Sequence, residues 1–221
     1  MSPDHPSTFA DPQSEKPRAR RGRPPVPRSL VLAAADALFA ETDEQHPVSM
    51  DEIAAAAGVG KGTVFRAFGS RDNLLDALFA SRMAALRAAV ESGAPPVGPG
   101  APPRKRALAI LDALLTFKLD NRRLIRAREI ASAGLFQAGH YQWMHGTLRE
   151  LIEQATSGAP QTAETAEANG IDAVDAVDPG YAAHVLLGSL RPDLIDELLE
   201  AGGTPETIRR AQAALAQRIL S

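Results

Sequence analysis

The stretch from Ser49 to Phe68, Ser-Met-Asp-Glu-Ile-Ala-Ala-Ala-Ala-Gly-Val-Gly-Lys-Gly-Thr-Val-Phe-Arg-Ala-Phe, constrains the fold more than any other part of the chain. Ser49 and Glu52 stand three residues apart, the spacing of a capping box that satisfies free backbone donors at a helix start. Val48 just before the box and Ile53 just inside it can close a hydrophobic staple. The small apolar run over 53–57 stops at Gly58, a residue able to take the left-handed conformation that ends a helix. Gly60 and Gly62 flank Lys61, and a second short helix is predicted over 61–68, anchored by Val59, Val64, Phe65 and Phe68. Alanines at 54–57 and Gly62 let the two helices cross closely over a tight turn.

Ile53-Ala54, Ala57-Gly58-Val59, Lys61-Gly62-Thr63-Val64-Phe65 and Phe68, followed by Ser70-Arg71-Asp72 and Leu74-Leu75, form an ordered set that resembles the TetR family of transcriptional repressors. The resemblance covers roughly residues 28–80. It implies a helix-turn-helix DNA-binding domain followed by a helical regulatory half.

Composition agrees with an all-α fold. Of 221 residues 44% are hydrophobic but only 5% aromatic, so Ala and Leu must do most of the packing, which favours helices. The chain has no cysteine, which excludes disulfides and thiolate metal sites and fits a reducing cytosol. No stretch approaches the roughly 20 apolar residues of a membrane span, and the N-terminus lacks a signal-peptide core. A cytoplasmic protein away from the membrane is expected.

The formal net charge of −3 argues on average against nucleic acid, but the distribution argues for it. From Lys16 to Arg28 every charge is positive, and from 157 to 180 every charge is negative. Local charge decides DNA binding more than net charge does.

Residues 1–27, rich in Pro and polar residues, read as a disordered basic arm. Within it Arg20-Arg21-Gly22-Arg23-Pro24-Pro25 resembles an AT-hook, whose glycine lets the backbone enter the minor groove while arginines meet its negative potential. A helix-turn-helix domain over 28–72 should begin with a helix over 28–42, carrying Val31, Leu32, Ala35, Leu38 and Phe39 on one face. The loop 43–47 departs from the family pattern, lacking its usual glycine and aromatic.

The regulatory and dimerisation domain is expected over 73–221. Ser70 caps a connector helix running to about Ser92, and the Pro- and Gly-rich segment 93–103 breaks it. Helices follow over 104–119, from an Asp120 cap to Gly134, and from about Tyr141 to Thr156. Residues 157–177 read as an acidic loop. Asp178-Pro179 then opens a helix that breaks at Arg191-Pro192, a short helix ends at Gly202-Gly203, and Thr204-Pro205 opens the last. That last helix shows Ile208, Ala211, Leu215 and Ile219 on one face.

The resemblance implies that the second helix of the motif enters the major groove of double-stranded DNA. Lys61, Thr63, Phe65 and Arg66 are then the candidates to touch it, with Arg66 able to grip guanine bidentately. Ser49 and Arg71, at helix N-termini, are candidates for phosphate, and Arg20, Arg21 and Arg23 of the arm for the minor groove. Family members dimerise through their last two long helices, here about 179–220. Leu186, Leu190, Leu198, Ile208 and Leu215 would form that interface, with Ala182, Gly188 and Ala211 allowing close approach, and a two-fold dimer implies a palindromic operator.

The family's regulatory half binds a small-molecule effector between its middle helices. Phe117, Arg126, Glu129, Phe136, Gln137, His140, Tyr141, Trp143, Met144 and His145 gather most of that half's aromatics with a few polar groups, which suits an amphiphilic pocket. No cofactor is implied. His140 and His145 are five residues apart and share no helix face, no metal motif or phosphate loop appears, and an enzyme is not expected. The competing reading is an architectural A·T-rich DNA-binding protein that relies on the basic arm.

Overall fold

The computed structural model describes residues 27–41, 48–129, 139–157 and 177–220. The basic arm, the loop 43–47 and most of the acidic segment lie outside them. Among the described residues there are ten helices and no strand. The first three are α1 (Arg28–Glu41), α2 (Met50–Ala56) and α3 (Lys61–Phe68). The middle four are α4 (Arg71–Ser92), α5 (Pro103–Asp120), α6 (Arg122–Glu129) and α7 (Gly139–Thr156). Three more, α8 (Pro179–Gly188), α9 (Pro192–Glu200) and α10 (Pro205–Ile219), complete the chain.

The ends of these helices follow from local chemistry. At α2 the capping box closes in both directions: the Ser49 amide donates to Glu52 Oε2 at 2.8 Å, and the Glu52 amide donates to Ser49 Oγ at 3.2 Å. Such a cap contributes about 0.5–2 kcal/mol. Gly58 has φ +65°, so the turn into α3 needs a residue without a Cβ. Ser70 accepts from the Asn73 amide at 3.1 Å and starts α4. Asp178 accepts from the Tyr181 amide at 2.7 Å, with Pro179 at the first helical position of α8. Thr204 and Thr207 cap α10 reciprocally.

Two ends differ from the sequence expectation. Asp120 does not cap α6. It is the last residue of α5, and Asn121 makes the joint, its side-chain amide donating to Phe117 O at 2.7 Å. Helix α8 ends at Gly188, a little before the expected break at Arg191-Pro192, and α9 starts at Pro192 as that break predicts.

Helix α2 packs on α1 and α3, and α1 and α3 both pack on α4. Val31, Ala35, Ile53, Val64, Phe68, Leu74 and Leu75 fill the space between them. The 72/73 domain boundary therefore falls inside the first turn of α4, which spans from this head to the rest. Beyond it α7 packs on α5 and α8, α10 lies against α5, and α6 runs between α4 and α9. Ile110, Leu115, Leu148, Ile152 and Leu186 are fully enclosed there.

The face of α10 is also corrected. Ile208, Gln212, Ala216 and Leu220 turn inward, while Ala211 and Leu215 are exposed and Ile219 is half-buried. The inward stripe advances four residues at a time, and it contains a glutamine that a hydrophobic criterion rejects. Gln212 accepts from Ser189 Oγ at 2.8 Å, which links α10 to the end of α8.

Candidate nucleic-acid interface and interior cavity

Helix α3 has two sharply different faces. Val64 and Phe68 are buried, Thr63 and Ala67 are half-buried, and Lys61, Gly62, Phe65 and Arg66 face outward. Phe65 is 39% exposed, so it does not anchor α3 as its apolar character suggests. A single exposed ring is ordinary on a protein surface, so Phe65 is available for contact without requiring one. At Gly62 an added Cβ would meet nothing within 4 Å, so the outer surface of α3 is low at that point.

Lys61 Nζ lies 2.9 Å from Asp51 Oδ2, both side chains being more than half exposed. A pair this exposed is worth about 0–1 kcal/mol and can be given up for a phosphate. Ser49 spends its hydroxyl on the capping box, donating to Glu52 Oε2 at 2.7 Å. Arg71 occupies the first turn of α4 but bends back, donating from Nε and Nη2 to Val48 O at 3.4 and 3.3 Å. It thus ties the start of α4 to the start of α2. Arg28, the last of the basic run, lies 4.6 Å over the Phe68 ring. Arg20, Arg21 and Arg23 lie outside the described residues.

The second feature is a cavity of about 760 Å³, counting its open mouth. Five helices line it: α4 with Phe79 and Met83, α5 with Leu114 and Lys118, α6 with Ile125 and Arg128, α7 with His140, Tyr141 and Met144, and α8 with Leu187 and Gly188. Arg191 and Pro192 close it at the junction of α8 and α9.

Of the sequence candidates, His140, Tyr141 and Met144 reach this cavity. Phe117 stands outside the lining, edge-on to Phe79 with ring centroids 5.6 Å apart. Trp143 turns to the Arg87 guanidinium, 5.0 Å from its ring. Arg126 pairs with Asp196 and reaches Glu200 Oε1 at 3.4 Å. His145 donates from Nε2 to Gly180 O at 3.0 Å and packs on His184, ring centroids 3.9 Å apart. Phe136, Gln137 and the side chain of Glu129 lie outside the described residues. Phe79, Met83, Lys118, Arg128 and Arg191 were not singled out in the sequence, because no local pattern marks residues that only tertiary packing brings together. A single signal existed: Phe79 and Met83 are four apart on α4, pointing past the reading head.

His140 is held down to about 4 from its ordinary 6.5, first by burial and then by the charges of Arg128 on α6 and Lys118 on α5; Asp76 on α4 opposes them weakly. The folded chain therefore holds a neutral imidazole. Its stabilising effect is fully present above pH 6.5 and is lost as pH falls from there towards 4. Urea denaturation at pH 7.5 and pH 5 should show a larger loss of stability for the native chain than for His140→Phe. Parallel losses would mean that the imidazole is solvated in the folded state.

Residues 31–78 match the family model for bacterial regulatory proteins of the TetR family. Over these residues the chain carries the DNA-binding region of that family. The matched segment runs from the second turn of α1 into α4 and contains all of α2 and α3. Solved structures agree in fold. A transcriptional regulator of Rhodococcus sp. Rha1 is 20% identical with a TM-score of 0.59, over 88% of this chain and 96% of that one. A TetR-like regulator from Rhodococcus sp. RHA1 is 22% identical with a TM-score of 0.54, over 86% of this chain and 93% of that one. The comparison with curated proteins gives no match. The matched region supports a DNA-binding transcriptional regulator. Among the described residues no helix is long and apolar enough to cross a membrane, and no group of three or more His, Asp or Glu is placed to hold a metal ion.

Proposed function

We propose that the protein is a dimeric, cytoplasmic repressor that grips a palindromic operator with α3 in the major groove and leaves it when a small molecule fills the cavity. The observation that carries this reading is the outer face of α3: Lys61, Phe65 and Arg66 stand clear around Gly62, over a packed inner face of Val64 and Phe68. Lys61 and Thr63 would meet phosphates, Arg66 a guanine edge, and Phe65 a thymine methyl or sugar. Ser49 and Arg71 would set the starts of α2 and α4 against the backbone, and Arg20, Arg21 and Arg23 would follow the adjacent minor groove.

The dimer surface needs revision. Leu186, Leu190, Ile208 and Ala182 are buried within a single chain and have no surface to offer a partner. Leu194 and Leu198, one turn apart on α9, and Leu215 on α10 are each 37–39% exposed. These would form the core of the interface.

The cavity can act on the head because α6 touches both. Ile125 and Arg128 of α6 line the cavity. From the same helix Arg123 donates to Phe39 O of α1 at 3.2 Å, and Arg128 pairs with Asp76 of α4. A ligand that displaces α6 would therefore change how α1 and α4 meet, and with it the distance between two reading heads. A ligand shifts the equilibrium only as far as it binds the two arrangements differently.

The test is capture of fragmented genomic DNA by the full-length protein, followed by sequencing. A few sharp peaks sharing a palindrome are expected. Broad A·T-rich enrichment without a palindrome would overturn the repressor reading. With the operator known, Arg66→Ala should relax base preference at one position per half-site by about 1–3 kcal/mol. Unchanged preference in a randomised-site selection would remove Arg66 from base readout.

A further inference from the structure

A second and smaller pocket of about 230 Å³, counting its open mouth, lies between α5 and α10. Its walls are Leu108, Leu111 and Leu115 of α5 with Ala213 and Ala216 of α10. It shares no lining residue with the larger cavity, since Leu114 serves one and Leu115 the other from different sides of α5. An ion pair borders it. Arg209 Nε donates to Asp112 Oδ1 at 2.6 Å and Arg209 Nη2 donates to Thr116 Oγ1 at 2.9 Å, which spans the two helices. Both members of the pair are 41–53% exposed, so they stand where the pocket meets solvent.

Gln212 supplies the polar part of the interior. It lines the pocket and is only 7% exposed. Its Oε1 meets the Ser189 hydroxyl at 2.8 Å, but its Nε2 has no hydrogen-bond partner. Among the described residues no other buried side-chain nitrogen or oxygen is left in that state. An unanswered buried donor destabilises the fold, and a leucine of similar size would fill the same place without that cost.

A buried water needs about three polar partners, and most of this wall is carbon. A hydroxyl carried on a short apolar body fits both parts of the pocket. Its oxygen accepts from Gln212 Nε2, its proton can go to Asp112, and the body covers the leucines and alanines. A charged guest would give up its hydration for a neutral amide, while Arg209 and Asp112 already answer each other. We propose that this pocket binds a small neutral alcohol. The space is below the roughly 300–1,000 Å³ of drug-sized sites, but an apolar cavity of about 150 Å³ takes benzene, so one small ring fits. The site stands whether or not the larger cavity takes the effector.

The probe is cyclopentanol, titrated into the full-length protein and followed by NMR. The Gln212 side-chain amide protons and the methyls of Leu111 and Leu115 should shift together. The methyls of Met83 and Met144, in the larger cavity, should stay still. Gln212→Leu keeps the volume and removes the donor, and it should weaken cyclopentanol by roughly fivefold or more, the share of one neutral hydrogen bond. The Leu111 and Leu115 methyls give that affinity in both chains. Ala213→Trp, at an exposed position of the lining, should abolish the shifts with thermal stability unchanged. If Gln212→Leu binds as the native chain does, the amide does not select the ligand and the proposal falls. It also falls if only Met83 and Met144 respond, because the probe then prefers the other cavity. If no signal moves, an ordered water is the only partner of Gln212 Nε2, and the pocket is no ligand site. Capture of genomic DNA decides the DNA-binding reading separately from all of these.

Discussion

Gly62→Leu should weaken operator binding on the order of 100-fold while leaving the fold as stable as before or slightly more so. The folded chain gives Gly62 no structural task. Its φ lies outside the left-handed region, an added Cβ meets nothing within 4 Å, and the position is exposed near the start of α3. A glycine inside a helix costs roughly 0.5–1 kcal/mol relative to alanine, so stability alone favours replacing it. Glycine at this point makes sense if another backbone must come close. Lys61 and Phe65 stand on either side of it, and a side chain between them would hold α3 away from the groove floor. Losing one or two base-pair contacts costs about 1–3 kcal/mol each, which gives the expected loss. The measurement is operator affinity beside urea denaturation of the same preparation. A variant that binds like the parent would show that this face of α3 does not meet DNA.

The features legible in the sequence are the ones that local chemistry settles. Ser49 with Glu52, Ser70, Asp178-Pro179 and Thr204-Pro205 each mark a helix start within four residues of chain, and all four hold in the structure. Gly58 and Gly202 mark ends because both adopt positive φ. The reading helix was legible for the same reason: its borders are glycines and its inner face is Val64 and Phe68.

Tertiary choices were not. On α10 the apolar residues Ile208, Ala211, Leu215 and Ile219 suggested one stripe, but packing against α5 selects Ile208, Gln212 and Ala216. The buried Gln212 meets the Ser189 hydroxyl with its carbonyl oxygen. Of the residues expected at a dimer surface, Leu186, Leu190 and Ile208 were spent inside the chain while Leu198 and Leu215 stay exposed, because hydrophobic character cannot tell an interface from a core. Much of the cavity lining was missed for a related reason, although His140, Tyr141 and Met144 were named. Its cations come from α5, α6 and the α8–α9 junction, spread from Lys118 to Arg191 in sequence, and aromatic content pointed instead to Trp143 and Phe117, which pack elsewhere.

The joint between reading head and cavity is where the second large effect is expected: Arg82→Met should cost about 2–4 kcal/mol. Arg82 on α4 reaches three groups at once. Its Nε pairs with Asp36 Oδ1 of α1, its Nη2 donates to Asp36 O at 3.1 Å, and its Nη1 donates to Asn121 Oδ1 at 2.7 Å. Its side chain is only 20% exposed, and Asn121 is 8% exposed. Removing the guanidinium would leave the buried Asn121 carbonyl without that donor, which is the costly half of breaking such a bond, about 1–3 kcal/mol. The exposed Asp36 would lose less, since water can replace its partner. Arg82→Lys should recover only part of the loss, because a single ammonium cannot span Asp36 and Asn121 as the planar guanidinium does. Denaturation gives the size of the effect, and amide exchange gives its place. Exchange should quicken in α1 and the first half of α4 while the buried centres of α7 and α8 keep their protection. If protection falls equally in α7 and α8, Arg82 is a support of the whole fold and the head is not separately hinged on it. If it falls only in α1 and the first half of α4, the head moves against the regulatory half through a joint made of Asp36, Arg82 and Asn121, adjacent in chain to the α6 that lines the cavity.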